Sequence, residues 1–97
     1  MERKIMADRV ERQYADNRRA EGAWRAAAWT QERIDACRAM QDAYVAYVRA
    51  FGVAYPEEAH LLPDMSRGRL LPEFRAARAA SDAYEAIANG ENARRAA

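Results

Sequence analysis

Thr30-Gln-Glu-Arg-Ile-Asp-Ala-Cys-Arg-Ala-Met-Gln-Asp-Ala-Tyr-Val-Ala-Tyr-Val-Arg-Ala-Phe-Gly52 is the stretch whose reading decides the fold. Ile34, Cys37, Met40, Tyr44, Tyr47/Val48 and Phe51 recur at three- and four-residue steps, with Arg33, Asp35, Arg38, Asp42 and Arg49 elsewhere. That period puts one apolar face on a helix over 30–52. Thr30 is suited to cap its N-terminus, with Glu32 and Asp35 in the following turn, and Gly52 is suited to end it. Trp29 and Ile34 flank the cap at the spacing of a hydrophobic staple.

Upstream, residues 1–21 read as a polar N-terminal helix or arm. Met6, Val10 and Tyr14 follow at four-residue steps, a narrow stripe on an otherwise charged segment. Gly22, after Arg18 and Arg19, is a candidate stop, so a break is expected over 22–29, although Ala26-Ala27-Ala28 favours a continuous helix. Downstream, Pro56-Glu57-Glu58 suits a first helical turn and predicts a short helix over 56–62. A loop over 63–69 follows, expected to be pinned by the pairs Leu61-Leu62 and Leu70-Leu71. Pro72 opens a helix over 72–89 with Phe74, Ala77, Ser81, Tyr84 and Ile87/Ala88 inward; Asn89-Gly90 is the expected stop and 91–97 a frayed tail.

The expected fold is all-α: one domain over 1–97 with its helical core at 30–90. It is a small bundle of two main helices with a polar N-terminal helix and a proline-bounded short one. About a quarter of the 97 residues are alanine, so the core is thin. A homodimer that brings the 30–52 helix and the tryptophans near the two-fold is therefore expected to complete it.

The chain holds little reactive chemistry. It has one histidine and one cysteine, its four glycines are isolated, and Lys4 is its only lysine. A net charge of +1 argues against a nucleic-acid mimic and weighs against a non-specific nucleic-acid binder. Cys37 stands alone, which excludes an intrachain disulfide and fits a reducing compartment. With no signal-peptide pattern and no membrane-length apolar run, the expected location is cytoplasmic, with no membrane partner.

Glu57-x-x-His60, with Glu32 upstream, has the spacing by which ferritin-like sites place a carboxylate and an imidazole on one helix face. It lies on a short helix with a single histidine, so no metal site and no cofactor are expected. Cys37 on an apolar face is expected to be a buried hydrophobe rather than a nucleophile working with His60, and no enzyme is expected. The aromatic residues Trp24, Trp29, Tyr47 and Tyr55, less needed inside, are the expected contacts for a protein partner, together with Met65, Arg67 and Arg69 on the loop. The expected function is non-enzymatic: an accessory regulator or inhibitor that docks on a larger macromolecule, of the kind phages and mobile elements make. The alternative is a helical nucleic-acid-binding dimer using the N-terminal helix and the 63–69 loop. A ferritin-like metal-binding subunit comes third.

Overall fold

The 30–52 periodicity produces the helix with the most buried residues in the structure, a computed structural model that describes residues 5–19 and 21–97. Five helices occur in the order α1 (Met6–Arg19), α2 (Glu21–Ala26), α3 (Gln31–Ala54), α4 (Met65–Gly68) and α5 (Pro72–Ala96), with a 3₁₀ turn at Pro56–Glu58. There is no strand among the described residues. The first four residues of the expected N-terminal helix or arm over 1–21 lie outside them.

Both α1 and α5 pack on α3. Ala7, Tyr47, Val48 and Ala77 form the shared centre, with Met6, Tyr44, Leu71 and Phe74 packed around it. Phe51 and Ile34 are the largest side chains that are fully buried. So few bulky groups make a thin body. Its radius of gyration is 15.4 Å and its extents are 50 × 28 × 16 Å, against about 12.5 Å for a compact chain of this length. Because α1 and α5 cover α3 between them, its apolar stripe no longer argues for self-association there.

The polar α1 is anchored more firmly than its narrow stripe implies. Ala7 and Val10 are buried against the core. Arg49 of α3 pairs with Glu11 at 2.8 Å and Asp8 at 3.2 Å. At the other end Arg18 reaches Asp42 at 2.6 Å and donates to Gln41 Oε1 at 3.0 Å and to the Arg38 carbonyl at 3.1 Å. The bond to Oε1 satisfies the side-chain carbonyl of the buried Gln41.

The break falls within the expected range, but Gly22 does not make it. Gly22 lies inside α2, and the chain turns at Ala28, the one described non-glycine residue with positive φ (63°). The Trp29 N–H donates to the Trp24 carbonyl and the Ala28 N–H to the Arg25 carbonyl, each at 3.0 Å. This is the Schellman pattern, with alanine where glycine is usual. Its accompanying apolar contact is the stack of Trp24 on Trp29, with centroids 5.2 Å apart and planes 16° from parallel. The two indoles are thus half-buried against each other, and Trp29 against Tyr84 at 6.2 Å.

Thr30 caps α3 as expected, accepting from the Arg33 N–H at 3.1 Å. Its hydroxyl also donates to Glu91 on α5. Glu91 is only 3% exposed and pairs with Arg33 at 3.5 Å, while the Arg33 guanidinium lies 4.0 Å over the Trp29 ring. Arg33 Nε is buried with no hydrogen-bond partner among the described residues. Arg95 donates to the Ala28 carbonyl. These bonds explain why α5 runs straight through Asn89-Gly90 to Ala96 and why the tail is helical where fraying was expected. The glycine preference of about 1 kcal/mol for leaving a helix is outweighed by tertiary contacts.

Two outcomes follow from this turn. Ala28→Gly should raise stability by about 0.5–1 kcal/mol, because an alanine held left-handed costs about 1–2 kcal/mol and glycine's larger unfolded entropy returns part of that; urea unfolding measures it. The Thr30 and Arg33 bonds hold the Glu91 carboxyl below the usual range, with the Thr30 hydrogen bond as the largest cause. Its contribution is present above the ordinary glutamate value of about 4.3 and is lost as pH falls through the depressed native value. Glu91→Gln should therefore be less stable than the parent at neutral pH, with the gap closing in acid; a gap independent of pH would show that the charge contributes nothing.

Candidate functional site

Where α3 runs out, the chain must reverse with few apolar residues available to bury. Tyr55 closes α3 by donating its N–H to the Phe51 carbonyl at 2.8 Å, and Pro56 starts the 3₁₀ turn. The expected helix over 56–62 is only this turn, which bends away after Ala59. Asp64 then caps α4, accepting from the Ser66 N–H and hydroxyl at 3.0 Å each. Thus the expected loop over 63–69 contains a helical turn.

Arg67 points back into this structure. Its Nη1 lies 2.7 Å from Glu58 Oε2, its Nη2 2.8 Å from Oε1 and its Nε 3.3 Å from Asp64 Oδ2. The guanidinium sits 4.6 Å over Tyr55 and 5.6 Å from the Phe51 ring centre. A bidentate pair with an aromatic floor is what arginine's planar fork favours. The Arg67 hydrogen bond lowers the Glu58 carboxyl's pKa; Asp64 is lowered first by the Ser66 N–H. Gly68 closes the contact: a Cβ there would stand 2.0 Å from the Tyr47 hydroxyl oxygen.

The loop is therefore held by Arg67 and by Tyr47 on Gly68, and the leucine pairs do not pin it. Leu61 is 49% exposed, Leu62 56% and Leu70 75%; only Leu71 joins the core. With Ile5, Val53 and Met65 they are the exposed large apolar side chains among the described residues. All belong to this end, since the Met6 N–H donates to the Ala59 carbonyl at 2.7 Å and brings Ile5 beside the turn. Beside them a groove of about 380 Å³ runs between α3 and α5, lined by Tyr44, Tyr47, Met65, Phe74, Arg78 and Asp82 among others.

The expected contact residues thus separate. Met65 and Arg69 are exposed. Tyr55 is half-buried beneath Arg67, and Arg67 itself is engaged within the chain. Tyr47 is buried, its ring 5.5 Å from Phe74, so the reading that left it over for a partner is corrected: α5 lies directly on it. Trp24 and Trp29 lie at the opposite end, in the Schellman turn. The exposure of Leu61, Leu62 and Leu70 was missed because pairs flanking prolines looked like anchors; its signal was that 30–52 and 72–89 already supply an apolar face each.

The metal constellation does not assemble within the chain. Glu32 opens α3 while Glu57 and His60 follow its end, about 33 Å away along the axis. No cluster of three metal-capable side chains occurs among the described residues. Cys37, also on the first half of α3, is about 25 Å from the His60 end. Burial pushes its thiol pKa up, against a smaller lowering by Arg18 and Arg33. Of the arginines that the nucleic-acid reading would use on α1 and the 63–69 loop, Arg19 pairs with Asp16 and Arg67 with Glu58 and Asp64, while Arg9, Arg12 and Arg69 form no ion pair with a described residue. No described helix is long and apolar enough to cross a membrane. Comparison with protein-family models, with curated proteins and with solved structures gives no match to this chain.

Arg67→Glu should lower the melting temperature, because it puts a like charge against Glu58 and Asp64 and removes the cover of Tyr55. Arg69→Glu, exposed and unpaired, should leave the temperature nearly unchanged. Equal effects of the two would mean that the Arg67 bridge does not hold the loop.

Proposed function

We propose that this protein is a non-enzymatic helical interaction protein, working as a homodimer that docks on a larger macromolecule as an accessory regulator or inhibitor. One observation carries the reading: six large apolar side chains stay exposed, and all gather at the end formed by residues 53–70 and Ile5. Apolar side chains scattered singly over a surface need no explanation, whereas a gathered set bordered by charge is the usual mark of a protein contact. Here Glu57 and Arg69 border it. The segment is braced by Arg67, so a partner meets leucines whose backbone is already ordered, which lowers the entropy cost of binding.

The nucleic-acid reading has less support, since the net charge is only +1 and Arg19 and Arg67, two of the arginines it would use, pair with carboxylates of the same chain. A protein surface with an apolar centre is the fitting partner. Leu61→Ser, Leu62→Ser and Leu70→Ser combined should leave folding within about 0.5 kcal/mol of the parent, as expected for exposed sites. The same variant should lose the cross-links that the parent makes through residues 53–70 to a partner in its native host. Cross-links that persist at those residues, or that map only elsewhere, overturn the assignment of this end.

A further inference from the structure

Along the exposed side of α5, from the rim of the α3–α5 groove where Arg78 and Asp82 stand outward, Arg75, Ala76, Arg78, Ala79, Asp82, Ala83, Glu85 and Ala86 are all exposed. The four charged residues fall in one row along the helix, within about 80° of arc at 100° per residue. Their order is two cations, then two anions, spaced symmetrically about position 80. None of the four forms an ion pair with a described residue.

A lone helix gains nothing from this order. Arg75 and Arg78 are like-charged neighbours one turn apart, and so are Asp82 and Glu85; such pairs are unfavourable. Arg78 precedes Asp82 by four residues, the weaker orientation for a pair within a helix. Arg75 also stands near the N-terminal end of α5, where the helix dipole disfavours a cation.

We infer that the occupant of this face is a second copy of the chain, with the two α5 helices antiparallel across a two-fold axis at residue 80. That symmetry sets Arg75 opposite the second copy's Glu85 and Arg78 opposite its Asp82, each pair made twice. The reversed order that leaves one chain unsatisfied then becomes complementary to itself, as an isologous contact requires. A two-fold of this kind keeps each flank of the helix on its own side. Ala76, Ala79, Ala83 and Ala86, in the adjoining row, therefore meet their counterparts, and alanine lets helices approach without loss of side-chain entropy. The inference rests on the homodimer reading and moves its two-fold from α3 to the outer face of α5.

Sedimentation equilibrium of the full chain at about 100 µM, a concentration suited to a contact at the small end of specific interfaces, tests it with four proteins. The parent should be dimeric. Arg75→Glu with Arg78→Glu makes the row wholly acidic, and Asp82→Arg with Glu85→Arg makes it wholly basic. Each variant alone should bind itself at least about tenfold more weakly. Mixed in equal amounts they should form a heterodimer, and the quadruple exchange, which restores the symmetric order with signs reversed, should be dimeric again. Helicity and melting temperature of each variant confirm that it is folded. A monomeric parent overturns the homodimer reading and this interface with it. A dimeric parent whose single-sign variants remain equally dimeric, or whose mixture does not associate, overturns the α5 interface alone and leaves the docking end untouched.

Discussion

Each helix that packs on α3 is tied to it by an arginine and a carboxylate. Arg18 and Arg49 hold α1, Arg38 and Glu21 join α2 to α3, and Arg33 and Glu91 join α3 to α5. Alanine makes up a third of the buried core, at Ala7, Ala77 and Ala88, and small side chains interlock less than large ones and hold a register less tightly. The ion pairs, most of them partly exposed, contribute no more than about 1 kcal/mol each to stability. Their geometry selects one register among many that the apolar contacts would allow, a role in which polar pairs are better attested than in adding stability.

The same division of labour explains what the sequence made legible. Periodicity located α3 and the inner face of α5 because those faces hold Ile34, Phe51, Phe74 and Ile87, whose spacing is a local property. Thr30 was readable as a cap for the same reason. The stop at Asn89-Gly90 was misread because the force that carries α5 onward comes from Thr30 and Arg33, some sixty positions away in sequence. The turn at Ala28 left no local sign at all, since alanine is the residue least suited to announce a left-handed conformation. Of the residues expected to meet a partner, Met65 and Arg69 are exposed, as their place in a proline-bounded loop implied. Tyr47 and Arg67 were misplaced because their neighbours, Phe74 on α5 and Glu58 in the 3₁₀ turn, are brought to them only by folding.

The two ends of the body differ in what they leave satisfied. At the Schellman turn, hydroxyl, carboxylate, guanidinium and indole consume one another. At the α3–α4 end the polar groups do likewise, through Arg67, Glu58 and Asp64, but the leucines are left outside. The polar network holds the backbone under an apolar surface that it does not cover. This is the reverse of the usual arrangement, in which apolar contacts underlie polar loops.

The stacked indoles of Trp24 and Trp29 have a spectroscopic consequence. They are the chain's only tryptophans, and both sit in one turn with the Arg33 guanidinium over one ring. Intrinsic fluorescence therefore reports on the junction of α2, α3 and the far end of α5, and on nothing at the leucine end. Two indoles this close and nearly parallel also couple electronically, giving the turn its own far-ultraviolet dichroism beside the helical bands. The five tyrosines are spread through the body, from Tyr14 beside Tyr44 to Tyr84 beside Trp29, and so report on no single end. Tryptophan emission alone isolates the Schellman turn, and loosening there can be watched separately from the rest of the molecule.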